Sequence, residues 1–418
     1  MVISRRACDN SRIDEHAKGS SSGSHTLDLL DRDTSFAPGR SAGLSRLAEF
    51  LPRAGRDYQT YRNYDYGPGR HFNVSRLSPY LSTRLIREVE VLEATLKQYS
   101  KQEAYKFVQE IFWRGYWKGW LEQRPQLWKS YWEVLPSSLE QLNEDPQAKK
   151  NYLAACLGET GIKIYDSWVR ELVETGYLHN HARMWFASIW IFTLNLPWQL
   201  GAELFMKYLF DGDSASNTLG WRWVAGIQTK GKNYVASEWN IKKFTNNRFS
   251  NIKLNENPFP IMDDRNYSIV NNNFLNINLS GDQRLLIFEN NLSFDQTDFK
   301  DQSFKNIYFI YNGNETRQIK LDEKVLTFKK SLIEDQIKNL KNKSINCEII
   351  NIQDLKNMKE NLLALYPSIG ENLDFLNENN LKNINFLYRK IDQYSWKYCN
   401  KGFFNFKSYI PKIVQEFI

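Results

Sequence analysis

Five tryptophans crowd one stretch of the chain: Trp113, Trp117, Trp120, Trp128 and Trp132. Glu110 and Arg114 stand among the first of them, four residues apart. On a helix that spacing shares a face and predicts an ion pair; Trp113 and Trp117 share a face for the same reason. Such a cluster can be an aromatic core. It can equally be a flat apolar wall with cationic edges, suited to stacking a base or a heteroaromatic ring.

Three other segments carry polar chemistry. Ser75, Ser78 and Thr83 lie close to Arg76 and Arg84, just after Gly67-Pro68-Gly69-Arg70. Hydroxyls and N–H groups at a helix start suit phosphate oxygens, or Ser75 or Ser82 is an ordinary N-cap. Asp211-Gly212-Asp213 opens like a calcium loop, but Ala215, Ser216 and Arg222 occupy positions that such a loop gives to a ligand, a glycine and a glutamate. The two carboxylates, with Asn217 and Trp221-Arg222-Trp223 beyond them, therefore need another explanation. His179 and His181 are two apart, so on a helix they point apart and do not share an ion. No metal site is expected.

Helices must position these groups. From about residue 39 to 245 the apolar period is helical, beginning with the stripe Leu44, Leu47, Ala48 and Leu51. Further helical runs are predicted over about 101–122, 164–176, 179–195 and 200–210. Ser82 to Leu85 leads into another run, ending near Leu96. Gly67-Pro68-Gly69, Arg124-Pro125, Pro136-Ser137, Gly158, Pro197 and Asp211-Gly212 read as turns. Residues 1–38, rich in Ser, Gly, Arg and Asp, read as a mobile head. Beyond about 246 the composition turns to Asn, Lys, Ile and Phe, with a linker at Asn255 to Pro260. Strand-like runs follow at 285–288, 307–310, 325–328, 347–350 and 384–387, with a helix over about 330–343 between two of them. That alternation predicts a parallel α/β sheet. No glycine-rich nucleotide fingerprint marks it.

Composition sets the limits. The chain has 418 residues, 42% hydrophobic, and a formal net charge of +7. It is long enough for two domains, and its basic excess permits a polyanionic partner. Cys8, Cys156, Cys347 and Cys399 are too scattered for a disulfide framework or a cluster motif. The apolar stretch Met184 to Trp198 is broken by Ser188, Thr193, Asn195 and Pro197. It falls short of the roughly 20 residues a spanning helix needs. Arg5-Arg6 is followed by no apolar run, so a cytoplasmic, membrane-free protein is expected.

Taken together, these segments resemble one family. Residues 39 to about 245 resemble the helical FAD-binding domain of DNA photolyases and cryptochromes. The motifs are Val74-Ser75-Arg76-Leu77-Ser78-Pro79-Tyr80-Leu81, Glu110-Ile111-Phe112-Trp113-Arg114, Thr160-Gly161 with Asp166, Gly176-Tyr177-Leu178-His179-Asn180 with Arg183-Met184, and Asp211-Gly212-Asp213 through Asn217 to Trp221-Arg222-Trp223. The implied architecture is mainly α. A head covers 1–38, the FAD-binding domain 39–262, and a smaller Rossmann-like α/β domain 263–418.

The resemblance implies roles. Tyr58, Ser75, Leu77, Ser78, Asn180, Arg183, Asp211, Asp213 and Asn217 would bind FAD, with Asn217 facing flavin N5. Glu110, Trp113, Arg114, Met184 and Trp223 would meet the substrate. Glu110, Trp113 and Asn217 would serve catalysis, with Trp221 and Trp198 as the first two members of an electron relay whose usual third tryptophan is missing near Asp145. Asn180 and Met184 match the cyclobutane-dimer type rather than the (6-4) type, which places histidines there. The implied activity is a deoxyribodipyrimidine photolyase-like lyase on single- or double-stranded damaged DNA, acting as a monomer. The alternative is a cryptochrome-like blue-light sensor with the α/β domain as output module. The α/β segment follows the helical domain where ordinary photolyases carry an antenna domain before it. It reads as a relocated or unrelated module, with no antenna chromophore assigned. The loop Thr229-Lys230-Gly231-Lys232 is a basic tip that touches phosphate or is simply solvated.

Overall fold

A computed structural model describes residues 36–418, except 230, 272–273, 275–282, 295–298, 300–303, 359–361 and 382–383. The expected mobile head therefore falls outside the described residues up to residue 35, as does Lys230 of the basic loop. Phe36, within the predicted head, is buried against Tyr80, Tyr177 and Phe210.

The first half is helical. It runs α1 Arg40–Phe50, α2 Arg56–Tyr61, α3 Ser78–Ser82, α4 Glu88–Gln98, α5 Tyr105–Glu122, α6 Pro125–Glu144, α7 Pro146–Leu157 and α8 Lys163–Thr175. Then come α9 Asn180–Ser188, α10 Trp198–Tyr208, α11 Ser214–Val224 and α12 Glu238–Phe244. Local chemistry sets several ends. Asp145 caps α7 by accepting from Gln147 and Ala148 N–H, and Pro146 sits at its first position. Gly158 and Gly176 take left-handed conformations at the ends of α7 and α8.

Four expectations about this half need correction. In α1 the buried face is Gly43, Leu47 and Phe50, while Leu44 and Ala48 point outward. Gly43 is there because Tyr80 and Ile86 approach too closely for a side chain. Pro136 is no turn but lies inside α6, where the Ser137 and Ser138 hydroxyls donate to Val134 O at 2.9 and 3.1 Å. Neither Ser75 nor Ser82 caps a helix; Leu77 precedes α3 and Arg87 precedes α4. The predicted helix 179–195 ends its α-helical part at Ser188, and Ile189–Thr193 widens to a π-helical turn closed by Leu194 N–H on Ile189 O at 2.9 Å.

The second half is α/β: β1 Gln283–Phe288, β2 Phe304–Ile310, α13 Glu323–Lys341, β3 Cys347–Ile350, α14 Ile352–Asn357, β4 Leu362–Leu365, α15 Glu371–Glu378 and β5 Ile384–Leu387. Three helices close the chain: α16 Lys390–Trp396, α17 Phe403–Lys407 and α18 Ile410–Phe417. The strands are all parallel, in the order β3-β2-β1-β4-β5. The order reverses beside β1, as in a doubly wound sheet. The parallel sheet was expected, but 325–328 is not a strand. It belongs to α13, which Asp322 caps and whose Val325, Phe328, Leu332 and Ile333 form one buried face. β4 was not anticipated.

Alternate residues of a strand face opposite sides, and that decides where the sheet packs. Leu285, Ile287, Ile307, Phe309, Leu363 and Leu365 join a core shared with α13 and with α1, α4 and α5. Leu286, Phe288, Tyr308, Ile310 and Ala364 face a smaller core with Phe375 and Leu376 of α15. A separate core fills the inside of the helical half around α8 to α11. No helix of the described residues is long and apolar enough to cross a membrane.

Candidate flavin and substrate site

Helix α5 builds one wall. Glu110, Arg114 and Lys118 recur every four residues, so they line one face. The predicted Glu110–Arg114 pair does not form. Glu110 instead accepts from Arg62 Nη1 at 3.0 Å, and Arg114 bonds Glu88 of α4. Partners brought in by tertiary packing, Arg62 at the end of α2 and Glu88 at the start of α4, take the place of the intrahelical one. Burial pushes the Glu110 carboxyl up, only partly offset by Arg62. Burial also raises Glu88, but Arg114 and Arg84 outweigh it and hold that carboxyl at about 2.

Lys118 ties this wall to α11. Its Nζ meets Asp213 Oδ2 at 3.2 Å, both side chains buried. Desolvation works against the Asp213 carboxylate, yet Lys118 and Arg114 hold it at about 2. The same carboxylate caps α11 by accepting from Ser216 N–H at 2.8 Å. That cap is the explanation the Asp211-Gly212-Asp213 segment lacked. Lys118 and Glu88 went unnoticed in the sequence. The i+4 spacing after Arg114 points to Lys118; nothing local points to Glu88 as its partner.

The opposite side comes from α9 to α11. Arg183 grips Asp211 with two bonds of 3.0 and 2.7 Å and donates Nε–H to Leu178 O at 2.9 Å. Its guanidinium also lies 5.4 Å from the Tyr177 ring, and that of Arg76 lies 5.9 Å away. Asn217 donates Nδ2–H to Ala202 O at 2.8 Å. The group it can still offer a neighbouring ring is its amide oxygen, an acceptor. Asn180 is exposed, Met184 half-buried. Trp223 is half-buried and stacks on Tyr234 at 5.7 Å.

The hydroxyl segment folds as a sharp turn. Arg76 takes a φ of +52°, a left-handed conformation that non-glycine residues adopt only when held. Leu77 is fully buried, while Ser75 and Ser78 on either side stay partly accessible. Tyr58 is buried between Phe50 and Phe107. Its phenol is pushed well up by burial and then by Glu110.

Trp113 is half-buried and lies flat on Phe403 of α17, ring centroids 3.5 Å apart and planes within 10°. Trp117 meets it at 5.2 Å, as their spacing predicts. Trp221 and Trp198 do not touch each other's rings. Trp221 packs on Phe205 and Trp190, and Trp198 on Tyr131. The histidines diverge as predicted: His179 stacks on His71 and His181 on Trp185.

This arrangement fits a bent dinucleotide such as FAD. Arg114 keeps Nε and Nη1 buried without a partner, donors of the kind a diphosphate satisfies. Added side chains at Gly115 of α5 and Gly220 of α11 would meet only open space. The donor set is cationic and hydroxyl-bearing beside an aromatic wall, with Asn217 able to accept from a ring N–H.

Known proteins bear on the same segment. The family described as FAD binding domain of DNA photolyase matches residues 107–252. A deoxyribodipyrimidine photo-lyase of Synechococcus sp. is 32% identical over 199 residues, covering 45% of this chain and 39% of that protein. The mitochondrial deoxyribodipyrimidine photo-lyase of Saccharomyces cerevisiae is 33% identical over 196 residues, covering 43% of this chain and 32% of its own length. The solved class III photolyase of Agrobacterium tumefaciens aligns with a TM-score of 0.43 and 28% identity, over 50% of this chain and 43% of that one. The chain thus spans well under half the length of the curated relatives it matches. Through residues 107–252 the chain is similar to the FAD-binding domain of the photolyase/cryptochrome family, and FAD is the cofactor of that domain.

Proposed function

We propose that the protein repairs cyclobutane pyrimidine dimers in DNA by light-driven electron transfer from reduced FAD. The observation that carries this reading is the α5 wall: Trp113 presents an indole face backed by Phe403, with Glu110 about one turn before it and Arg114 next to it in the chain. A dimer cannot be reached inside a duplex, and the damage itself lowers the work of extruding it. Trp113 then stacks on the extruded bases. Glu110, pushed toward its neutral form by burial, can donate as well as accept at a base edge while Arg62 holds its other oxygen. Met184 adds an apolar wall and Trp223 lies at the rim. Ser75, Leu77, Ser78, Asn180, Arg183, Asp211 and Asp213 would hold the cofactor, with Tyr58 at its edge. Asn217 would accept from flavin N5–H. Bound reduced FAD, once excited, supplies the electron that opens the dimer and takes it back afterwards. The protein binds, orients and excludes water.

On this reading residues 39–262 form the FAD-binding unit. Residues 263–418 form a relocated antenna-type domain, a reading supported by the doubly wound strand order. Damaged DNA, single- or double-stranded, is the partner, and the net charge of +7 favours a polyanion. The test uses flavin-loaded, reduced protein with a dimer-containing oligonucleotide under blue light. Dimers should disappear in the light and persist in darkness; persistence in both sinks the reading. A sensor role has one observation in its favour: α16 and α17 lie directly on α5, so a change beside the flavin has a short route to the C-terminal segment. Light-dependent partner or oligomer changes, unaltered by Trp113→Ala and without repair, would favour it.

A further inference from the structure

Residues 396–407 run along α5 from end to end, in the opposite direction. Arg124 Nη2 donates to Asn400 O at 2.8 Å, and Gln123 Nε2 to Trp396 O at 2.6 Å. Gly119 lacks a side chain where Trp396 and Cys399 press in. Tyr116 donates its hydroxyl to Lys401 O at 3.0 Å. Phe406 packs on Tyr116 and Phe112, and Lys407 reaches the ring of Tyr105.

Phe403 sits midway along this strap. It is 8% exposed and covers one π-face of Trp113. Tyr116 and Trp117 meet the same indole only at 84° and 37°, and among the described residues no second ring lies parallel to it. An indole has two faces, and one is taken. The orientation of the other face therefore depends on a residue 290 positions away in sequence.

We infer that Phe403 is a positioning residue for substrate: by backing Trp113 it fixes the plane on which an unstacked pyrimidine pair lands. This rests on the reading of Trp113 as the substrate wall. A stacking surface works at full strength only if its rotamer is locked before the ligand arrives. Removing the phenyl ring frees the indole to tilt into the vacated space.

The experiment compares full-length, FAD-loaded wild type with Phe403→Ala, Phe403→Leu, Phe403→Tyr and Trp113→Ala. Each is titrated with a dimer-containing oligonucleotide and its undamaged twin, reading the ratio of the two Kd values. The flavin spectrum is recorded alongside. Phe403→Ala should cut the ratio about 5- to 10-fold, part of what one stacked base contributes. The flavin spectrum and the undamaged Kd should not move. Phe403→Tyr should restore the ratio, since it keeps the ring. Phe403→Leu keeps an apolar side chain and more of the volume than Ala, but not the flat face. It should behave like Ala, and it carries the test if Ala does not fold. A wild-type ratio in Phe403→Leu, with the ratio lost in Trp113→Ala, overturns the positioning role and leaves Trp113 as the wall. A wild type that does not discriminate, or a Trp113→Ala that discriminates normally, overturns the reading of Trp113 itself.

Discussion

Arg84 and Asp392 meet through two parallel hydrogen bonds of 2.6 Å, across 308 residues of sequence. Arg84 belongs to the turn before α4, at a φ of +50°; Asp392 belongs to α16. Both are buried. The pair pins a strained turn of the helical half to the C-terminal segment.

Asp392→Ala should destabilise the whole protein by about 3 kcal/mol, because it removes both hydrogen bonds of a buried guanidinium and leaves it only the more distant Glu88 carboxylate, at 3.6 Å. Burial already pushes the neighbouring Arg389 down to about 9, with Arg84 adding to the effect. Replacing Arg84 and Asp392 together by Met and Leu should be markedly less costly than Asp392→Ala alone. Thermal or urea unfolding followed by circular dichroism checks both; equal losses would refute the account.

Glu122, at the end of α5, accepts from Tyr366 Oη and from Ile369 N–H, each at 2.8 Å. Burial pushes its carboxyl from an ordinary 4.5 to about 7, against the pull of those bonds. A raised folded-state pKa stabilises fully below about 4.5 and loses that stabilisation as pH rises through 7. The wild type should lose on the order of 3 kcal/mol through this group on going from about pH 5 to about pH 8. Glu122→Gln carries no such ionisation, so its unfolding midpoint should depend less on pH over that range. Parallel pH profiles for the two proteins would rule the assignment out.

Asn217→Asp places a carboxylate one helical turn from Asp213, where the amide oxygen is now the only acceptor on offer. An added negative charge beside a reduced anionic flavin should disfavour it by on the order of 1–2 kcal/mol. For a two-electron couple that is a fall of about 20–45 mV in midpoint potential. An anaerobic spectroelectrochemical titration reads it directly. A rise or no change would count against Asn217 facing the ring.

Gly201 of α10 lies where a methyl group would run into the ring of Trp221 and the indole N–H of Trp190. Gly201→Ala should cost about 1–3 kcal/mol through overpacking and shift the tryptophan fluorescence. The melting temperature and emission spectrum check this. A fully wild-type protein would mean that α10 moves freely against α11.

The site was legible where its chemistry is local. The α5 wall declares itself through spacing within a turn or two, whereas Asp213 and Arg183 stand out only through the family resemblance, their contacts with Lys118 and Asp211 being distant in sequence. Long-range partners do not. Glu110 and Arg114 are at perfect spacing for each other, yet Arg62 and Glu88 take them, and only tertiary packing decides that. Phe403 is one aromatic among several in a Phe-rich tail until the fold lays it on Trp113. The strand error at 325–328 has a local cause. Val, Thr and Phe favour strands, but the buried spacing of Val325, Phe328 and Leu332 fits the helical period, and Asp322 caps it. β4 is just Leu362 to Leu365, too short to show a period.

The strap along α5 has a consequence for how the protein is made. A ribosome adding about 5–20 residues per second needs roughly 15–60 s to travel from Arg84 to Asp392. Throughout that interval the nascent helical half must keep α5 and its aromatic face uncovered, with the α4 turn lacking its clamp.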